Sequence, residues 1–312
     1  MEMEGKWKES RGMEGGGGLR VEAGFYRGHG LGNDYLVLQE AGEGSEAGPA
    51  GFHLTEAAVQ TLCHRWTGIG GDGVVVLLRG RDQEDGGFRL RMFNPDGSEF
   101  ERSGNGLRIL ASWLYRTGQV DREPFRVRSG GEEMEMQVHG VDRAGEYDVS
   151  VQMGQAQVGP EPVRVGPVEV TPVRVGNPHV VLFTEDLSRE HLERVGPFLA
   201  RHRRFPGGVN VQLASRTGPG RLRIAIWERG VGPTAASGTS SCAAAVAAVH
   251  RGLLEAGALR VDMEGGRLQV TVSPELEVQL RGPVREICTG TLAPGFLRSL
   301  DGDVRSGPGS GG

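Results

Sequence analysis

The chain has 312 residues, 37% of them hydrophobic and 24% charged, with a formal net charge of −5. That length supports one large or two modest domains of a water-soluble globular protein. The acidic balance gives no electrostatic reason for nucleic acid or an anionic membrane as partner. No apolar run approaches the roughly 20 residues that span a bilayer.

Residues 1 to 20 are charged and then Gly-rich at Gly15 to Gly18, without the apolar stretch of a secretory signal. A disordered tail and a cytoplasmic location are expected. Strands are then predicted over Tyr35 to Leu38, Val74 to Leu78, Phe88 to Phe93 and Phe125 to Val127, and helices over Leu54 to Cys63 and Leu107 to Arg116. Gly68-Ile-Gly-Gly-Asp-Gly73 matches a dinucleotide fingerprint in spelling only. The run after it, Val74 to Leu78, reads as strand and not helix, so a tight glycine turn is expected. A strand-rich stretch follows, with Tyr147 to Met153, Val163 to Val175 and Val180 to Phe183. Prolines at 160, 162, 167 and 172 should confine its strands to edges or interrupt them. Next come a helix over Ser188 to Arg201, a strand over Leu222 to Trp227, an Ala-rich helix after Ser237, and strands over Arg267 to Ser273 and Glu277 to Arg281. A second disordered tail is expected over 299 to 312.

Two segments repeat one message. Ser103-Gly-Asn-Gly106 opens the apolar stretch Leu107 to Leu114, and Ser237-Gly-Thr-Ser240 opens Ala243 to Val249. Each sets a small hydroxyl residue and unpartnered backbone N–H groups at a helix N-terminus, which attracts anions. Two such termini suggest two α/β halves closing on one carboxylate from opposite sides, the arrangement needed to reach both faces of one carbon.

Cys63, Cys242 and Cys288 lack CxxC spacing and read as free buried thiols, and no metal motif is present. Lysine occurs only at positions 6 and 8. Pyridoxal phosphate is held as a Schiff base on lysine, so chemistry at an amino-acid α-carbon would run without that cofactor. The Asn, Gly and Pro clusters at Gly30 to Asp34, Phe93 to Glu99 and Gly176 to His179, with Asn210 and Glu228-Arg229, supply amides, an arginine and a glutamate. Those groups suit a zwitterion.

Phe93-Asn-Pro-Asp-Gly-Ser-Glu-Phe-Glu-Arg-Ser-Gly-Asn-Gly106 and Glu228-Arg-Gly-Val-Gly-Pro-Thr-Ala-Ala-Ser-Gly-Thr239 closely resemble the two signature segments of diaminopimelate epimerase. So do Gly30 to Asp34, Arg65 to Gly73 and Gly176 to His179, in the family's order, from about Phe25 to Phe296. The resemblance implies an α/β (α+β) fold of two pseudo-symmetric domains, each a curved mixed sheet around a central helix, with the active site between them. The domains would span 21–143 plus 285–298, the C-terminal segment returning to the first domain, and 144–284. The family expectation is a homodimer acting on a small-molecule amino acid without cofactor or metal, in lysine and peptidoglycan biosynthesis.

By the same resemblance Gly104, Asn105, Gly238 and Thr239 would hold the α-carboxylate, and Asn33 would help position the substrate. Asn94, Asn177, Asn210 and Arg229 would recognise the distal amino-acid end, Glu228 would also contact substrate, and His179 would lie near the reacting groups. The family places one cysteine in each half as base and acid. This chain has Ser103 and Ser237 there. A thiol's ordinary pKa is about 8.5 and a hydroxyl's lies many units higher, so the serines need a neighbouring base, for which His179 is the candidate. Two other readings stay open: a homologue that binds a diamino acid without inverting it, and a one-face isomerase or lyase on the same scaffold.

Overall fold

The computed structural model describes residues 19–42, 51–81, 86–100, 102–159 and 161–301. In chain order the first half holds β1 (Leu19–Val21), β2 (Gly24–Gly30), β3 (Asn33–Gln39), β4 (Phe52–Leu54), α1 (Glu56–Cys63), β5 (Val74–Arg81), β6 (Phe88–Phe93), β7 (Glu99–Phe100), α2 (Gly104–Arg116), β8 (Phe125–Ser129) and β9 (Glu132–Val141). Then follow β10 (Glu146–Gln155), β11 (Gln157–Val158), β12 (Val163–Val165), β13 (Val168–Val175), β14 (Asn177–Phe183), α3 (Arg189–Ala200), β15 (Asn210–Gly218), β16 (Arg221–Glu228), β17 (Gly232–Thr234), α4 (Gly238–His250), β18 (Gly257–Met263), β19 (Gly266–Val272), β20 (Glu277–Thr291) and α5 (Pro294–Leu300).

The pairing pattern repeats. β2–β3 is antiparallel, β3–β5 parallel across α1, β5–β6 antiparallel, β6–β8 parallel across α2, and β8–β9 antiparallel. The second half does the same with β13–β14, β14–β15 across α3, β15–β16, β16–β18 across α4, and β18–β19. β10 and β20 pair with each other and complete both sheets. β10 extends from β9, and β11 beyond it reaches β13. β20 pairs with β19 up to Arg281 and with β2 from Arg285 onward. Each half is therefore a closed ring of strands, and the two rings share the β10–β20 pair. β20 carries the chain from β19 to β2.

Each ring encloses one helix. Leu107, Ile109, Leu110, Ala111 and Leu114 of α2 are fully buried, as is the run Cys242 to Ala248 of α4. A helix apolar on nearly all sides must lie inside a core, and alanine lets the strands close tightly round it. A second layer covers the outside of each ring. In β3 and β5, Val37, Val75 and Leu77 face α2, while Leu36, Leu38, Val74 and Val76 face α1, β4 and α5. Strands buried on both faces read as continuous apolar runs, which is why these were plain in the sequence. Helix α3 covers Val180, Leu182, Val211 and Leu213 in the same way.

Some expectations need revision. Leu54 ends β4, and Thr55 opens α1 by accepting a hydrogen bond from Ala58 N at 3.1 Å. The stretch 163–175 is two strands, broken at Gly166-Pro167. Pro172 stays inside β13, at a point between its pairings with β12 and with β11, where no ladder N–H is required. Of the expected tails, Leu19 and Arg20 lie in β1, paired to β4, and Ser299 and Leu300 lie in α5, with Leu300 buried against α1's layer. Asp301 caps the end of α5, and residues 1–18 and 302–312, with Pro160, lie outside the described residues. Cys63 and Cys242 are buried thiols, but Cys288 is exposed, on the outer stretch of β20.

The glycine run at 68–73 is a turn. Its amides cap the end of α1: Gly68 N donates to His64 O at 2.9 Å, and Ile69 N and Gly70 N donate to Leu62 O at 3.0 and 2.9 Å. A Cβ on Gly68 would lie 2.0 Å from Thr61 O. Backbone cannot move aside as a side chain can, so Gly68→Ala should destabilise the protein by at least about 2 kcal/mol in urea unfolding.

Candidate active site

The two signature helices meet head-on. Ser103 caps α2 with its Oγ accepting from Gly106 N at 3.1 Å, and Ser237 caps α4 by accepting from Ser240 N at 3.4 Å. Both have extended backbone, the usual geometry of an N-cap. Gly104 and Gly238 face each other. A Cβ on Gly104 would lie 3.8 Å from Gly238 Cα, and one on Gly238 would lie 3.6 Å from Gly104 Cα. Leu280 Cδ2 stands beside both, 2.6 and 2.8 Å from those positions, so neither site has room for a side chain. Two positive helix ends therefore point into one small volume.

The first half builds a chain of polar groups at this junction. Asn105 Nδ2 donates to Asn33 Oδ1 at 2.7 Å, and Asn33 Nδ2 donates to Asp72 Oδ2 at 2.8 Å. Asp72 also accepts from Arg65 at 2.7 Å, and Arg65 and Arg27 both hold buried Asp34. Burial alone would raise the Asp34 carboxyl, but hydrogen bonds from Arg65 and Arg27 outweigh it and set it below the ordinary value of 3.8.

In the second half Asn177 opens β14, and His179 pairs in register with Asn210 at the start of β15. Asn210 Oδ1 accepts from Arg229 N at 2.8 Å, and Arg229 Nη1 donates to Gly207 O at 2.5 Å. Asn94 sits in the β6–β7 turn, bonded to Ser98. His179 is buried and shares a 3.1 Å hydrogen bond between Nδ1 and Gln212 Nε2, which also donates to Ser240 Oγ at 3.0 Å. Among the described residues its Nε2 has no hydrogen-bond partner. Burial pulls the imidazole down to about 3, so it is neutral at physiological pH.

The serines have different neighbours. Half-buried Glu228 is raised above its ordinary value by burial, partly offset by the neighbouring Ser237 hydroxyl. Tyr35, buried on β3, is raised by burial, partly offset by the neighbouring Ser103 hydroxyl. Glu228 is thus the carboxyl group beside a serine, whereas His179 turns its Nδ1 to Gln212. Tyr35 and Gln212 were missed by sequence reasoning. Each looks like an ordinary strand residue, and only β pairing puts it under a helix terminus. Cys242 lies inside α4, fully buried, its thiol pushed up to about 12 by burial. Among the described residues no cluster of His, Cys, Asp or Glu is arranged to hold a metal ion, and no helix is long and apolar enough to cross a membrane.

Two strand rings around helices that meet end to end are the fold shared by epimerase, proline-racemase and PhzF-type structures. A hydroxyproline epimerase from Agrobacterium vitis, solved with bound trans-4-hydroxy-L-proline, superposes with a TM-score of 0.64 at 12% identity, covering 94% of this chain and 99% of that one. A probable proline racemase from Agrobacterium radiobacter gives 0.65 at 15% identity, covering 91% and 98%. The diaminopimelate epimerase family profile matches residues 25–159 and 171–286. A diaminopimelate epimerase of Synechococcus sp. (strain JA-3-3Ab) is 36% identical over 287 residues, 86% of this chain and 98% of that one. One from Desulfitobacterium hafniense is 36% identical over 282 residues, covering 85% and 96%. The chain belongs to the diaminopimelate epimerase family, a family of isomerases.

Because folding depresses the Asp34 carboxyl, its contribution to stability is present above the unfolded value and is lost as pH falls through the folded one. The stability difference between wild type and Asp34→Asn should therefore be largest near neutrality and shrink below 3.8 in thermal melts.

Proposed function

We propose that the protein is a cofactor-independent epimerase that interconverts LL- and meso-diaminopimelate by proton transfer on opposite faces of the α-carbon. The observation that carries this reading is the head-on meeting of two capped helix N-termini in a chain of this family. Removing an α-proton places extra negative charge on the carboxylate. Preorganised N–H groups and helix dipoles stabilise that charge where it develops. Gly104, Asn105, Gly238 and Thr239 supply those groups, and Asn33 orients Asn105. Asn94, Asn177, Asn210 and Arg229 take the distal amino-acid end, which favours a long diamino acid over proline.

Serine alone is too weak a base, so each serine works through its neighbour. Ser237 Oγ accepts the α-proton as its own proton passes to the Glu228 carboxylate. On the other face Ser103 gives its proton to the α-carbon and is resupplied by the Tyr35 hydroxyl. Solvent exchange then returns Glu228 and Tyr35 to their starting states. His179, neutral, offers its unpartnered Nε2 to the substrate. The product would serve lysine and peptidoglycan biosynthesis, in the cytoplasm.

A second reading is supported by the capping geometry: both serine hydroxyls are engaged with backbone N–H groups, which suits a protein that binds the diamino acid without inverting it. Incubation with LL-diaminopimelate in D2O separates the two. Deuterated meso product supports the epimerase. Tight calorimetric binding with no exchange supports the binding protein. For the epimerase, Ser103→Cys with Ser237→Cys should raise turnover strongly, because a helix N-terminus brings a thiol into the working range. Glu228→Gln should lower α-proton exchange by about 100-fold or more. The wild-type rate should rise with pH through a value above 4.5, the ordinary glutamate figure, and the variant should lose that dependence.

A further inference from the structure

Arg108 is fully buried, yet none of its partners is an anion. Its Nε donates to Gly104 O at 3.1 Å, Nη1 donates to Pro283 O at 3.1 Å, and Nη2 donates to Asn105 Oδ1. Among the described residues it forms no ion pair. Asp148, the acidic group whose field reaches it, is held by Arg281 at 2.6 Å. A buried cation costs several kcal/mol unless an opposite charge compensates it. The fold has nevertheless made room for this one: a Cβ on Gly282 would lie 2.7 Å from Nη1, and one on Gly30 would lie 3.0 Å from Nη2.

The location gives the cation a purpose. Arg108 is five residues beyond Ser103, under the point where the two helix N-termini meet. The matching position in the other half, five beyond Ser237, is Cys242, whose thiol stays protonated near neutrality. Only the first half supplies a charge at this position, and among the described residues no carboxylate pairs with it.

Arg108 also gives direction to the polar chain beside it. A guanidinium donates only, so Asn105 must turn its Oδ1 toward Arg108 and its Nδ2 toward Asn33. An ionised carboxylate accepts only, so Asn33 must turn its Nδ2 toward Asp72. The two ends of the chain leave no second way to place either carboxamide. Each NH2 group keeps one N–H uncommitted by these bonds.

We propose that Arg108 is a positioning residue of the carboxylate cradle: it locks the Asn105 and Asn33 carboxamides in one orientation and supplies, from one half only, a buried positive charge beneath the anion. This rests on the reading that the helix junction takes an amino-acid carboxylate. A residue that merely fills the core would be replaceable by an apolar side chain of similar length without consequence for anion binding.

The test compares wild type, Arg108→Met and Arg108→Lys. Calorimetry measures the affinity for meso-diaminopimelate, and NMR of the ligand-free proteins follows the side-chain amides of Asn105 and Asn33. Arg108→Met should raise the Kd by about 10- to 100-fold and shift both pairs of amide resonances. Arg108→Lys should recover part of the affinity, because the charge remains, without restoring the resonances, because the fork is gone. Unchanged affinity or unchanged amide resonances in Arg108→Met would overturn the proposal. If Arg108→Met does not fold, unshifted resonances in Arg108→Lys would overturn it equally. Wild type that does not bind meso-diaminopimelate would instead refute the substrate reading, while the ligand-free spectra still decide whether Arg108 orients the cradle.

Discussion

Two helix N-termini pointed at each other repel, and the whole molecule is arranged to hold them together. Helices α2 and α4 are buried along nearly their full length, each inside its own strand ring. The rings share β10 and β20, so neither helix can withdraw without breaking the common strands. Leu280, on the shared strand β20, packs against Gly104 and Gly238 at the point of contact. Hydrophobic burial around the helix shafts thus outweighs an unfavourable dipole arrangement at their tips. The product is a site whose resting field calls for an anion.

The pseudo-symmetry extends to the backbone but not to the chemistry. Equivalent strands, crossovers and caps recur in both halves, as do Asn33 and Asn177 at the starts of β3 and β14. The side chains around the caps diverge: Tyr35 stands by Ser103 and Glu228 by Ser237, while Arg108 answers Cys242. A repeated fold supplies two similar helix ends, and the side chains around them make the two sides of the junction chemically distinct.

Much of the interior was legible because both-face burial leaves an unmistakable trace. Val74 to Leu78 and Val180 to Phe183 are continuous apolar runs, and α4 is almost all small and apolar. Several of the strands missed have the opposite character, although β15, with Val211 to Ser215 buried, does not. β9 alternates Glu133 and Glu135 with buried Met134 and Met136, and its acidic residues hide a period of two that was there to be read. β1 and β4 are too short to carry any period and exist because they pair with each other.

Sequence by itself determined the two capped helix starts, the internal repeat, the family, and the serines at the two central positions. Caps and apolar runs are local, and local rules of backbone N–H satisfaction and burial suffice to read them. Only the tertiary structure decided what lies beside each serine, that His179 is tied to Gln212, and that Arg108 is buried with no ion pair among the described residues. Those facts depend on residues far apart in the chain, such as Asn33 with Asn105 and Arg108 with Pro283. Strand register and ring closure bring them together, and no spacing along the sequence encodes such a meeting.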